Sequence, residues 1–169
     1  MLNAITWIWR FNFGMDWLMA LLRTMIVFLL AWVLGTVLIS ITSTHIILHG
    51  LIEVGATIPL DVRLDTVLRD LAGFGPTLGA ITLIGFLIAF LFAAWVIRNF
   101  IPAPRIGYTL AGFTSIIVMM FAVYWFYYFD GMGAIHPVPA ARTLPGLLSL
   151  AMGGAVAGFF FANFHRARS

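Results

Sequence analysis

The sequence predicts an all-α membrane protein: one bundle of four transmembrane helices, with an extra amphipathic helix on the outer side between spans 1 and 2. Three observations carry this expectation. The 169 residues are 63% hydrophobic and only 9% charged, whereas soluble domains carry about a quarter charged residues. Four stretches of about 20 residues or more hold no charge, and at 1.5 Å rise each crosses a hydrocarbon core of roughly 30 Å. Nearly every charged side chain falls in the gaps between them. Lipid cannot satisfy open backbone groups, so such stretches must be helical.

The first span is placed at about residues 18–44. The apolar run is longer than the core of a secretory signal and lacks a small-x-small cleavage site, so it reads as a retained span. Segment 1–16 is expected to be interfacial, with Trp7, Trp9 and Trp17 at headgroup level and Arg23 reaching back toward the same layer. The second span is placed at about 77–97, with Trp95 at its inner end. The loop that follows holds Pro102 and Pro104, which make a short, stiff turn and set spans two and three as antiparallel neighbours. The third span, about 106–129, ends in the aromatic anchors Trp125, Tyr127 and Tyr128. An irregular loop with Gly131, Gly133, Pro137 and Pro139 leads to the fourth span, about 143–164. The whole chain reads as a single transmembrane domain.

Segment 45–75 is the longest connection, and its second half has helical periodicity. Leu64, Val67, Leu68 and Leu71 fall at i, i+3, i+4 and i+7, one apolar face. Asp65 and Arg69 are four apart in the favourable order. Asp61 after Pro59 reads as the N-cap, and Gly73 as the stop.

Arginine placement sets the expected orientation. With the N-terminus inside, Arg10, Arg23, Arg98, Arg105, Arg166 and Arg168 lie inside, and Arg63, Arg69 and Arg142 outside. The positive-inside rule favours this arrangement, with both termini cytoplasmic. Acidic residues agree: Asp16 lies inside, and Glu53, Asp61, Asp65, Asp70 and Asp130 outside. All nine basic residues are Arg. With no Lys and much Ala, this fits a bacterial chain encoded by GC-rich DNA, and hence the cell's inner (plasma) membrane. The arginines are scattered between apolar runs rather than clustered on one face, which excludes nucleic acid as a partner. The lipid bilayer is the expected partner, together with a second copy of the chain or other membrane subunits.

Small residues recur at four-residue spacing: Ala31 and Gly35 in the first span, Gly85, Ala89 and Ala93 in the second, Gly154, Gly158 and Ala162 in the fourth. Small residues let helices approach closely where no hydrophobic effect drives them together. These rows serve either packing within one bundle, which every small polytopic protein needs, or a seam toward a second copy or a partner subunit. Bulky residues share the same helices: Phe86, Phe90 and Phe92, and Phe159, Phe160 and Phe161, expected to face lipid or core.

One polar constellation carries chemistry. His45, His49 and Glu53 lie at i, i+4, i+8, a single stripe if the first helix continues past Thr44 to about Val54. Two His four apart can chelate one ion, with a carboxylate one turn on to join or orient them. The topology puts Asp130 and His136 on the same side, and the five together offer N and O donors for zinc, iron or copper. The reading favoured over a metal site is that the same stripe is a structural or proton-exchanging polar cluster at the interface, bonded to neighbouring loops. No particular cofactor is specified, and a divalent metal is the one this donor set allows.

Other classes lack their signatures. With no Cys, disulfides, thiolate sites and thiol redox chemistry are excluded. No charged residue lies in the middle of a span, which argues against proton-coupled antiport. No His pair lies deep in two helices, no H-E-x-x-H motif is present, and neither G-x-S-x-G nor a P-loop occurs. The sequence therefore predicts a non-enzymatic accessory or assembly subunit, or a self-associating membrane protein. Two alternatives stand beside it: a metal- or cofactor-binding protein, such as an oxidoreductase component, and a transporter of lipid or uncharged solute, suggested by Gly73, Gly75, Pro76, Pro145 and Gly146 near span ends. Ser and Thr within the spans (Thr36, Ser40, Thr82, Thr114, Ser115, Ser149) are expected to bond their own helix backbone.

Overall fold

A computed structural model describes residues 2–55, 57, 59–100, 103–129 and 138–165, with side chains described from Trp17 onward. The described residues form an all-helical chain without strands. The helices are α1 (Leu2–Glu53), α2 (Leu60–Gly73), α3 (Gly75–Asn99), α4 (Pro104–Phe129) and α5 (Leu144–His165), with a 3-10 turn at Pro139–Arg142 before α5. Four of them, counting α1 from Trp17, are long and apolar enough to cross a membrane. The protein is an integral membrane protein of the four-span class.

α1 runs without a break for 52 residues. Its apolar part, Trp17–Glu53, has 37 residues and is about 55 Å long, well beyond a hydrocarbon core of roughly 30 Å. If Arg23 marks one boundary of that core, a 20-residue crossing reaches the other boundary near Thr44. Residues 45–53 are helix, not loop, and with the boundary at Arg23 they extend past the length that a core of roughly 30 Å requires. Gly55, at φ 97°, makes the left-handed turn that reverses the chain into α2, a conformation that costs other residues their Cβ contact.

α2 begins two residues earlier than an Asp61 cap requires. Pro59 occupies the N-cap position and no side chain caps the helix. Asp61 lies instead in the first turn, where its carboxylate complements the helix dipole. Gly73 closes the helix, Phe74 donates its N–H to the Asp70 carbonyl at 2.8 Å, and α3 starts at once with Pro76 in its first turn. The apolar face is divided. Val67 and Leu71 are half-buried, whereas Leu60, Leu64 and Leu68 stay exposed in a row, the arrangement of a helix resting its apolar side on the membrane interface. Arg69 Nε donates to Asp65 Oδ2 at 2.7 Å along the exposed side.

The four spans form a ring in which α5 packs on α1 and α4, and α3 packs on α4 and α1. The two diagonal helices are unequally covered: 50% of the apolar window of α5 is buried, against 22% for α3. The α4/α5 side is closed by glycine. A Cβ on Gly158 would collide with the Tyr108 carbonyl, and Cβ atoms on Gly112 and Gly154 with each other's backbone oxygens. Without Cβ atoms these backbones come close enough for dispersion to hold them, which is the main force available inside lipid. Gly35 does the same on α1, where a Cβ would stand 2.7 Å from the Phe86 ring and 2.9 Å from Ala157.

Aromatic rings join all four spans in the half nearer Arg23. Phe28 of α1 meets Phe90 of α3 edge-on at 6.0 Å, and Phe90 stacks on Phe161 of α5 at 4.9 Å. Tyr108 of α4 meets Phe161 edge-on, also at 4.9 Å. Such pairs add about 0.5–1.5 kcal/mol each beyond burial. Phe86 is fully buried and stacks on Phe90 at 5.4 Å, while Phe92 and Phe159 face outward. The Arg23 guanidinium reaches the Phe164 carbonyl at 3.5 Å, tying the Arg23 end of α1 to the end of α5.

Candidate functional site

Continuity of α1 puts His45, His49 and Glu53 on one stripe, and that stripe points away from the bundle. All three residues are exposed. His49 Nδ1 lies 3.5 Å from Glu53 Oε1, with side-chain exposures of 75% and 70%. Both side chains are open to their surroundings, and a contact so exposed is weak. Among the described residues, no three His, Asp or Glu side chains converge on one point. Asp130 and His136 lie outside the described residues.

The inward side of the same helix is polar as well, which spacing alone did not reveal. Trp32 Nε1 donates to the Gly79 carbonyl at 2.8 Å. One turn on, the Thr36 and Thr82 hydroxyls are 2.9 Å apart and buried, and Thr82 Oγ1 lies 3.0 Å from the Gly79 carbonyl. Ser40, Ser43 and Thr44 continue the buried row. It ends where Thr44 Oγ1 stands 2.8 Å from Asp70 Oδ2 of α2 and 3.0 Å from the Ser40 carbonyl. A Thr hydroxyl has one proton. That proton serves both the Asp70 carboxylate and the Ser40 carbonyl, which lie within reach of the one hydroxyl. This polar seam ties α1 to α3 and α2. Thr36 thus bonds across helices, contrary to the expectation of bonding within its own helix, whereas Thr114 and Ser149 do bond their own helices, at 2.8 Å each.

The small-residue rows are distributed unevenly. Ala31, Gly35, Ala93, Gly154, Gly158 and Ala162 are buried within the bundle. Gly85 and Ala89 are only half-covered. They form the floor of an open groove of about 840 Å³ between α3 and α4, a size within the roughly 300–1,000 Å³ of ligand pockets. Its walls are apolar, including Ile88, Phe92 and Phe126.

Three polar residues, Thr114, Ser115 and Tyr127, line the groove, and Thr114 bonds its own helix. Ser115 is 7% exposed, and its hydroxyl has no hydrogen-bond partner among the described residues. It lies opposite Gly85, where an added Cβ would stand 3.1 Å from the Ser115 oxygen and 3.5 Å from Met119 Sδ. Counting 1.5 Å per residue from Pro104, Ser115 is about 16 Å along α4, near the middle of the bilayer. A buried hydroxyl without a partner in lipid costs more than about 1 kcal/mol. The groove floor therefore carries one buried hydroxyl without a partner among the described residues. Sequence reading treated Ser115 as one more self-bonded serine; its position three residues after Gly112, on the face shared with Ile116 and Met119, is the signal that could have singled it out.

Compared with known proteins, the chain matches no family model, no curated protein and no solved structure.

Proposed function

We propose that the protein is a non-enzymatic membrane subunit that acts by association, as an accessory or assembly component or with itself. The observation that carries this reading is the unfinished α3/α4 face: a groove with a Gly85–Ala89 floor and an unpartnered, buried Ser115 hydroxyl. Helices in lipid associate through small residues and interhelical hydrogen bonds, and this face offers both, whereas the neighbouring α4/α5 side is already closed by its glycines. The arginine distribution supports a plasma-membrane location with both chain ends cytoplasmic. The contact of Arg23 with the Phe164 carbonyl is in keeping with those two ends sharing one side. Native mass in mild detergent tests the proposal: an assembly larger than one 18.7 kDa chain, after subtraction of detergent, is expected.

A second reading, metal or cofactor binding, has the His45, His49 and Glu53 stripe in its favour, since one unbroken helix carries all three donors. Asp130 and His136 would complete the set. Elemental analysis tests it: stoichiometric metal, lost in a His45→Ala plus His49→Ala variant, would establish it.

A further inference from the structure

Resting on the reading that this protein works by association, we infer that the occupant of the α3/α4 groove is α3 of a second copy, in a two-fold dimer about an axis along the membrane normal. Two rows run side by side on α3. Ile84, Ile88 and Phe92, four residues apart, form a ridge at 61%, 63% and 64% exposure. Gly85 and Ala89, each one position later, form the hollow beside it. Ridges of i, i+4 residues pack into the hollows beside such rows. Copies inserted in one membrane share an orientation, so a two-fold axis sets the two α3 helices parallel. Each ridge then enters the other copy's hollow, and the contact closes on itself as a dimer. The pattern of a bulky row next to a small row is the one that drives parallel helix pairs in lipid.

Ser115 supplies the second, independent mark. Its hydroxyl needs an acceptor near the middle of the bilayer. The ester groups of glycerolipids lie at headgroup level and acyl chains carry no acceptor, so a lipid tail fills the groove without satisfying it. An approaching helix brings backbone carbonyls, each with a second lone pair left after its own helical bond.

The chain contains no Cys, so a single introduced Cys reports on this contact without background. Ile88→Cys, at the centre of the ridge, and Val156→Cys, 45% exposed on α5, are each oxidised in membranes holding the full-length chain. Ile88→Cys is expected to form a disulfide dimer and Val156→Cys to remain a monomer. Adding Gly85→Leu, which fills the hollow, is expected to lower the Ile88→Cys dimer fraction about tenfold. Adding Ser115→Ala is expected to lower it about threefold, the usual worth of an interhelical hydrogen bond in lipid. Unchanged thermal stability of the Ser115→Ala chain in detergent separates lost association from lost folding. Equal crosslinking at positions 88 and 156 overturns the inference. If native mass then still exceeds one chain because another protein co-purifies, association stands and the groove belongs to that protein. If the chain is a monomer carrying a stoichiometric neutral lipid, or a bare monomer, both the dimer and the association reading fall.

Discussion

The hydroxyls of Thr36 and Thr82 meet at 2.9 Å in the buried interior, 46 positions apart in sequence, and join α1 to α3. Replacing either by Val keeps the shape and removes the bond. A double-mutant cycle of Thr36→Val and Thr82→Val, read by unfolding in detergent, should give a coupling of about 0.6 kcal/mol and no more than about 1.7 kcal/mol. Strict additivity would mean the two hydroxyls do not act on one another.

Gly158 is expected to be the least tolerant small residue. A Cβ there meets the backbone of Tyr108 and Thr109, which cannot rotate away. Gly158→Ala should destabilise the bundle by about 1–3 kcal/mol, as overpacking does. Gly50 is the internal contrast: it lies in α1 with nothing within 4 Å of an added Cβ. Gly50→Ala should leave the protein as stable or add about 0.5–1 kcal/mol. Thermal melts of the two variants side by side would show the difference, and equal effects would contradict the placement of the α4/α5 seam.

Asp70 is held by Thr44 at 2.8 Å, and α2 has no fully buried residue of its own. Thr44→Val should therefore loosen α2 from the bundle. Trypsin cleavage at Arg63 and Arg69 should accelerate about fivefold, matching a lost hydrogen bond of about 1 kcal/mol. Run on intact cells and on inverted vesicles, the same digestion shows which side α2 occupies: cleavage from outside is expected. An unchanged rate in Thr44→Val would mean that other contacts hold α2.

The exposed, outward stripe of His45, His49 and Glu53 leads to a fourth expectation. Purified protein and the His45→Ala plus His49→Ala variant should hold the same, substoichiometric amount of metal by elemental analysis, because the described donors do not converge. A loss of bound metal in the variant would move the account to the metal-binding reading.

Much of the fold could be read from charge placement. The second span, expected at 77–97, is α3 at Gly75–Asn99, and the third and fourth shift by two residues or fewer, because charge, Pro and Gly bound each apolar run. α2 was legible from the spacing of Leu64, Val67, Leu68 and Leu71, although Asp61 lies in the first turn instead of capping it. The polar seam was not legible. Periodicity tells which residues share a face of one helix but not which helix that face meets, so Trp32–Gly79, Thr36–Thr82 and Thr44–Asp70 become visible only when distant segments are brought together. Ser115 was missed for a related reason. Serine in a transmembrane helix ordinarily bonds its own backbone, and only the geometry shows that this one does not. Gly112 completes the α4/α5 seam from outside the four-residue rows, since α4 contributes a single glycine to that contact.

The central claim is that the bundle is completed by association. Its most direct test is the native mass of the wild-type chain, extracted in mild detergent and corrected for bound detergent and lipid. The account predicts an assembly of at least two chains, or of this chain with a co-purifying membrane protein. A monodisperse species of one 18.7 kDa chain, with no protein partner, would contradict it.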